Sequence, residues 1–335
     1  KICLFHDSKL PPKNYGGIER IVVTLAEEYT RLGHQVTVLC RKGSVLPAFR
    51  VVEIPENWDG QNVESFVPAD VEFIHSHQPL IVEPKRPYLV TIHGNGHPKE
   101  HYWPNTNFLS QSHTRNHAGQ VYVFNGVAPK RYTYCDKKDD YFIFLAKTTW
   151  RVKNLKTCLS WAHDLNVKLK IIGGPGVSRG NIEYLGFVDD KVKNETLSKA
   201  RALIYPTNWD EPCAAAPLEA LACGTPVIST RNGCMPEMVE DGVTGVLCDT
   251  YADLLRAPEK LKTVSYKKCR ENVETYFSVS RMDQDYLKIF DRIVKGGKLV
   301  DDAHLPHYNF SKSSVRLLFK PTVFNRLQVA VTGKI

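Results

Sequence analysis

Long apolar runs are missing from this chain. No stretch approaches the ~20 consecutive apolar residues that a membrane-spanning helix needs, and KICLFHDSKLPP at the start holds only a strand's length before charges and prolines intervene. A soluble, cytoplasmic protein is expected. Signals for cysteine pairing are missing too: the nine cysteines are an odd number, stand singly and never form C-x-x-C. That excludes a disulfide framework and a zinc ribbon as organising devices, and fits a reducing compartment. No G-x-G-x-x-G follows the first apolar run, which argues against a dinucleotide-dependent dehydrogenase. The loop Gly173 to Gly180 (GGPGVSRG) lacks the Lys-Ser/Thr ending of a P-loop and reads as a turn. The basic residues form no stripe interleaved with aromatics, so nucleic acid is not an expected partner.

What is present points to two α/β units. A length of 335 residues with 42% hydrophobic content suits two domains that each bury a core. Short apolar runs at 2–5, 36–39, 71–74, 88–92 and 120–124 read as strands of a parallel sheet, alternating with amphipathic stretches. The rhythm repeats at 142–145, 168–172, 182–185, 202–205 and 226–229, with helical patterns over 155–165, 191–200 and 215–223. The polar, turn-rich stretch NGVAPKRYTYCDKKDD (125–140) is where a hinge belongs. The expected boundaries are 1–130 for the first domain, 131–295 for the second, and 296–335 for a tail. That tail should pack back on the first domain, with contact to an anionic membrane as the alternative. A net charge of +8 favours anionic partners of some kind.

In open α/β sheets ligands bind beyond the carboxyl ends of the strands, so two facing sheets place one site in the cleft between them. Residues able to serve it cluster at those ends. Gly16 and Gly17 precede a long amphipathic helix whose bare N–H groups and positive dipole end can receive a phosphate. His93 closes the strand 88–92 among glycines, where it can bond a sugar hydroxyl. His75 and His77 share one side of a strand without an evident third metal ligand, so packing is the stronger reading. Lys147, Arg151 and Lys153 crowd the loop after 142–145, placed to neutralise a diphosphate leaving group, with Asn154 a candidate helix cap. The strand at 202–205 delivers WDEPCAAAPLE, in which Glu211 precedes the free N–H groups of Cys213, Ala214, Ala215 and Ala216. Glu219 follows in the helix, where one carboxylate can accept two ribose hydroxyls, and Glu237 stands at a later helix start. Asp283-Gln284-Asp285 spells a D-x-D, yet lies in an amphipathic helical pattern, so no metal and no other cofactor are expected.

These residues together resemble the retaining glycosyltransferase family 4, over nearly the whole chain to about Val294; the E-x7-E motif from Glu211 to Glu219 is the most specific part. The resemblance implies the GT-B fold: two facing Rossmann-like domains with the active site in the interdomain cleft. It implies transfer of a sugar from a nucleoside diphosphate sugar, UDP before GDP, to a glycan or glycolipid hydroxyl with anomeric configuration retained. By residue matching, Glu211 would sit by the transferred sugar, Glu219 would hold the ribose, and His93 would contact the sugar. Gly16 and Gly17 would meet the diphosphate with Lys147 and Lys153, and the backbone of Gly186, Phe187 and Val188 would hold the base. The chain departs from the family pattern at Ala146-Lys147, where Gly-Arg is usual, and at Cys213-Ala214, where Phe-Gly is usual. Few residues separate Gly96 from Ser112 to build an acceptor subdomain. An epimerase or hydrolase of the same fold and a non-catalytic nucleotide-sugar or anionic-surface binding protein are the rival readings.

Overall fold

The fold is that of a computed structural model, described for residues 1–12, 16–58, 60–96 and 100–300. Apolar segments buried on both faces become the central strands of parallel sheets, where helices cover each side. The first sheet contains β1 (Ile2–Phe5), β2 (Val36–Arg41), β3 (Arg50–Ile54), β4 (Phe73–Ser76), β5 (Tyr88–Thr91) and β6 (Thr106–Asn107) in the order β3-β2-β1-β4-β5-β6. The second contains β7 (Phe142–Leu145), β8 (Leu169–Ile172), β9 (Ile182–Gly186), β10 (Leu203–Tyr205), β11 (Val227–Thr230) and β12 (Gly245–Cys248) in the order β12-β11-β10-β7-β8-β9. Every pairing is parallel. Counted within each sheet, both orders are 3-2-1-4-5-6, so each has one switch point, between β1 and β4 and between β7 and β10.

Helices follow from spacing. α1 (Gly17–Arg31) buries Val22, Leu25, Ala26 and Tyr29, an i, i+3, i+4, i+7 stripe against the first sheet. α3 (Leu155–Asp164) sets Trp161 edge-on to Phe142 at 4.8 Å, its indole donating to the Leu254 carbonyl. α4 (Asp190–Lys199) is capped by Asp189, which accepts from Val192 N–H at 2.8 Å. α5 (Ala215–Ala222) starts without a side-chain cap, as does α1. The shorter α2 (Gln111–Asn116) and α6 (Met235–Met238) lie at the domain junction, and α7 (Tyr251–Lys260) and α8 (Tyr266–Tyr276) complete the second domain.

Three expectations change. The run 120–124 forms no strand; it contributes one bridge, Tyr122 to Phe108, beside the two-residue β6. Asn154 does not cap α3 with its side chain: it adopts a left-handed backbone, φ 59°, and its amide donates to the Pro206 carbonyl. The boundary at 295 also moves. α9 (Val279–Val294) buries Val279, Met282, Tyr286, Phe290 and Ile293 in the core of the first domain, with Phe290 4.2 Å from Phe73. Its apolar stripe matches the groove left open beside α1. The chain therefore crosses between domains twice, and the two crossings run side by side: Val127 N–H donates to Phe277 O and Val279 N–H to Val127 O. Gly126 permits this, since a Cβ there would lie 2.6 Å from Ser278 O. Of the tail, Leu299 and Val300 pack on the first domain through Asn105 and Pro104; residues 301–335 lie outside the described residues.

Candidate functional site

A cavity of about 540 Å³ opens where the carboxyl ends of the two sheets face each other. It is lined by Gly16, Gly17 and Arg20 at the start of α1, Leu145 at the end of β7 with Ala146 after it, and Ile172 at the end of β8 with Gly173 after it. Phe187 to Asp190, Lys193, and Ala215, Ala216 and Glu219 from α5 complete it, with Pro12. Two uncapped helix starts therefore converge on it, each offering unsatisfied N–H groups and the positive end of a dipole. Gly16 has an extended backbone, φ 172°, which any residue adopts. Its need for glycine is spatial: a Cβ would stand 2.6 Å from Pro12 Cβ and 2.8 Å from Glu19 Oε2. Phe187, 62% exposed, stands on the cavity wall.

The charges on the cavity wall form one connected chain. Arg20 donates to Asp190 at 2.7 Å across the cleft, Lys193 lies 3.2 Å from Asp190, and Lys193 donates to Glu219 at 2.8 Å. Glu219 also accepts from the Tyr132 hydroxyl at 3.1 Å. Burial, then the adjacent Glu219 carboxylate, hold that hydroxyl protonated well past the usual tyrosine range. Burial alone would raise Asp190, but Arg20 and Lys193 outweigh it and keep the carboxyl below its ordinary value. A second cavity of about 300 Å³ continues on the hinge side of the same ion chain, lined by Ile21, Thr24, Val127, Ala128 and Tyr132 among others.

Glu211 and Lys153 occupy a separate, deeper cluster. Lys153 is 6% exposed and Glu211 4%, and the ammonium lies 2.9 and 2.7 Å from the two carboxylate oxygens. Tyr205 accepts from Lys153 at 2.7 Å, while the Trp209 indole donates to Glu211 at 2.6 Å. Tyr205 and Trp209 also present ring faces to the ammonium, at 5.2 and 5.1 Å. The expectation of Lys153 as an open cation facing a diphosphate is thereby corrected: it is the counter-ion of Glu211, because a buried carboxylate without one costs several kcal/mol. Lys147 and Arg151 make no ion pair among the described residues; the Lys147 ammonium lies over the Trp150 ring at 5.5 Å.

The remaining expected residues divide. Gly16, Gly17, Phe187, Val188, Ala215, Ala216 and Glu219 meet at the larger cavity. Gly186, Cys213 and Ala214 do not line it. Gly186 turns the chain after β9 at φ 72°, burial pushes the Cys213 thiol up to about 12, and Ala214 is buried as the residue before α5. Of Cys213 to Ala216, the residues that line the cavity are Ala215 and Ala216. His93 belongs to an imidazole cluster of the first domain, 2.9 Å from His77. The His75 and His77 rings lie 4.2 Å apart, and His75 Nε2 meets Thr91 Oγ1 at 2.9 Å. Glu237 accepts from the Gln111 and Ser112 N–H groups at 2.8 and 2.7 Å, joining the domains instead of facing the cavity. Asp283 is buried in α9 near Arg31, and Asp285 pairs with Arg281 and Lys288, so the D-x-D acids also point elsewhere. Sequence reasoning missed Asp190, Lys193, Tyr132 and Tyr205. Asp189, an acid placed to cap a helix, was the one local signal that the first turn beyond it faces the cleft.

Residues 134–275 match the family described as glycosyl transferases group 1. The match falls within the second domain, which is similar to group 1 glycosyl transferases. The stretch matched includes the ion chain's Asp190, Lys193 and Glu219 and the Lys153–Glu211 pair. D-inositol 3-phosphate glycosyltransferase of Mycobacterium avium is 34% identical over 106 residues, 29% of this chain and 22% of that protein. The matched stretches span under two-fifths of the curated relatives' own length. Among solved structures, AviGT4, a glycosyltransferase involved in avilamycin A biosynthesis, superposes with a TM-score of 0.74 at 20% identity, covering 89% of this chain and 98% of that one. Anabaena HepE in complex with UDP and glucose superposes with a TM-score of 0.66 at 13% identity, covering 87% and 99%. The two domains thus have the GT-B fold. No helix among the described residues is long and apolar enough to cross a membrane.

Proposed function

We propose that the protein is a retaining glycosyltransferase of family 4 that moves a sugar from a nucleoside diphosphate sugar, UDP in preference to GDP, to a hydroxyl of a glycan or glycolipid. The observation that carries this reading is the larger cavity. Glu219, the starts of α1 and α5, and the exposed Phe187 line one concave space at the switch point of the second sheet. Glu219 suits a ribose diol, the two helix starts suit a diphosphate, and Phe187 with Val188 suits a base. The relatives' activities and the UDP held by HepE agree with it.

In the proposed reaction the bond from the anomeric carbon to the diphosphate oxygen breaks as the acceptor oxygen bonds the same carbon on the same face. The acceptor proton passes to the departing phosphate. Negative charge grows on the diphosphate, where the α1 and α5 amides, Lys147 and the cavity cations Arg20 and Lys193 stabilise it. These groups supply positive charge without a divalent ion, so full turnover in EDTA is expected. The net charge of +8 favours a glycolipid acceptor at an anionic surface.

Glu219→Ala tests the donor assignment. The donor KM should rise about ten- to hundred-fold, the worth of hydrogen bonds to a charged group. An unchanged KM, or calorimetry showing that neither UDP nor GDP binds the wild-type protein, would sink the reading.

A further inference from the structure

The first domain places His75 and His77 at the end of β4 and His93 just beyond β5, its neighbour in the sheet. His77 is held from behind: its N–H donates to Phe5 O at 2.9 Å, and its ring lies 4.2 Å from that of His75. His75 in turn meets Thr91 Oγ1 through Nε2 at 2.9 Å. Facing forward, His77 Nδ1 lies 2.9 Å from His93 Nε2. Burial holds all three imidazoles neutral, pushing His75 and His77 well below the ordinary range and His93 down to about 3.

Between two neutral imidazoles at this distance one ring donates and the other accepts. The other nitrogen of His77, Nε2, is buried without a partner among the described residues. If His77 accepted from His93, its own proton would sit on Nε2 as a buried N–H with no acceptor. If His77 donates from Nδ1, the unpaired group is only a lone pair. Orphaned buried donors are the rarer case. The donor is therefore His77 Nδ1–H, the acceptor is His93 Nε2, and the single proton of His93 resides on Nδ1. The His93 ring is half-buried and stands just beyond the carboxyl end of β5, the end of the first sheet that faces the cleft.

We propose that His77 is a positioning residue that fixes His93 as a neutral Nδ1–H donor aimed at an oxygen of the transferred sugar. The proposal rests on the glycosyltransferase reading for its sugar, and on the His77–His93 geometry alone for its tautomer. Held this way, His93 donates one hydrogen bond and accepts none from the sugar. It discriminates by oxygen position and, being a neutral imidazole, does not serve as a general acid.

The test is ¹⁵N spectroscopy of the full chain labelled at histidine, with His93 identified by its loss in His93→Gln. Two-bond nitrogen–proton correlations should show His93 protonated at Nδ1 in the wild-type protein. His77→Asn, whose amide nitrogen sits where Nδ1 was, should keep that tautomer, whereas His77→Phe should let the proton reach Nε2. Turnover should rank wild type, then His77→Asn, then His77→Phe, the last lower by about tenfold, equivalent to ~1.4 kcal/mol of transition-state stabilisation. Wild-type His93 protonated at Nε2, or loss of the Nδ1 tautomer in His77→Asn, overturns the proposal even if the Phe variant does not fold. An Nδ1-protonated His93 in a protein that transfers no sugar from any nucleotide donor would instead overturn the function and leave the tautomer assignment standing.

Discussion

The two sheets share one strand order, yet the strand ends that face the cleft carry opposite chemistry. At the end of the first sheet stand imidazoles that burial keeps neutral, hydrogen-bonded to one another. At the end of the second stands a fully charged pair, Lys153 and Glu211, buried to a similar degree but neutralised internally. One topology thus supports two solutions to the same problem of polar groups out of water: discharge the group, or supply its counter-ion. Neutral donors suit hydroxyl recognition, and fixed charge suits a centre where charge develops.

The sharpest way to break this comparison is to remove one member of the charged pair. Lys153→Met or Glu211→Leu alone should cost about 3–5 kcal/mol, because each strands a buried charge. The double variant should recover most of that stability in urea unfolding while transfer stays lost. Equal destabilisation in single and double variants would contradict the pairing. The imidazoles should respond to acid. Burial holds the folded pKa values of His75 and His77 well below the ordinary histidine value of about 6.5, so below that pH the unfolded chain takes up protons that the folded one refuses. Stability therefore falls as pH drops below 6.5, by up to about 1.4 kcal/mol per pH unit for each histidine. Urea midpoints between pH 7 and 4 should show this slope, and His77→Asn should make it shallower. The smallest effect belongs to Arg20–Asp190, an exposed pair spanning the cleft. Arg20→Ala should cost under about 1 kcal/mol, a difference that added salt erases.

What the sequence disclosed tracks what local pattern can encode. Strands buried on both faces, such as FIFL at 142–145, stood out as apolar runs. The edge strand Arg50–Ile54 did not: it is partly exposed, carries Arg50 and Glu53, and so lacks a continuous run. The run at 120–124 looked apolar enough, but its neighbour β6 has only two residues and gives it no ladder. For the site, glycines before a helix and the Glu211–Glu219 spacing were legible because they are local. Lys153 and Glu211 are 58 residues apart, and Arg20 and Asp190 are 170 apart. Which cation each acid takes is decided by strand order and domain facing, and neither can be computed from a run of residues.

The return of α9 to the first domain also has a consequence for biosynthesis. The groove beside α1 is filled by Tyr286 and Phe290, which emerge from the ribosome more than 150 residues after β5 has been made. At ordinary translation speeds the first domain waits roughly 10–30 s with Tyr29 and Phe73 uncovered. The first domain is thus completed only after the second domain, which precedes α9 in the chain, has been made.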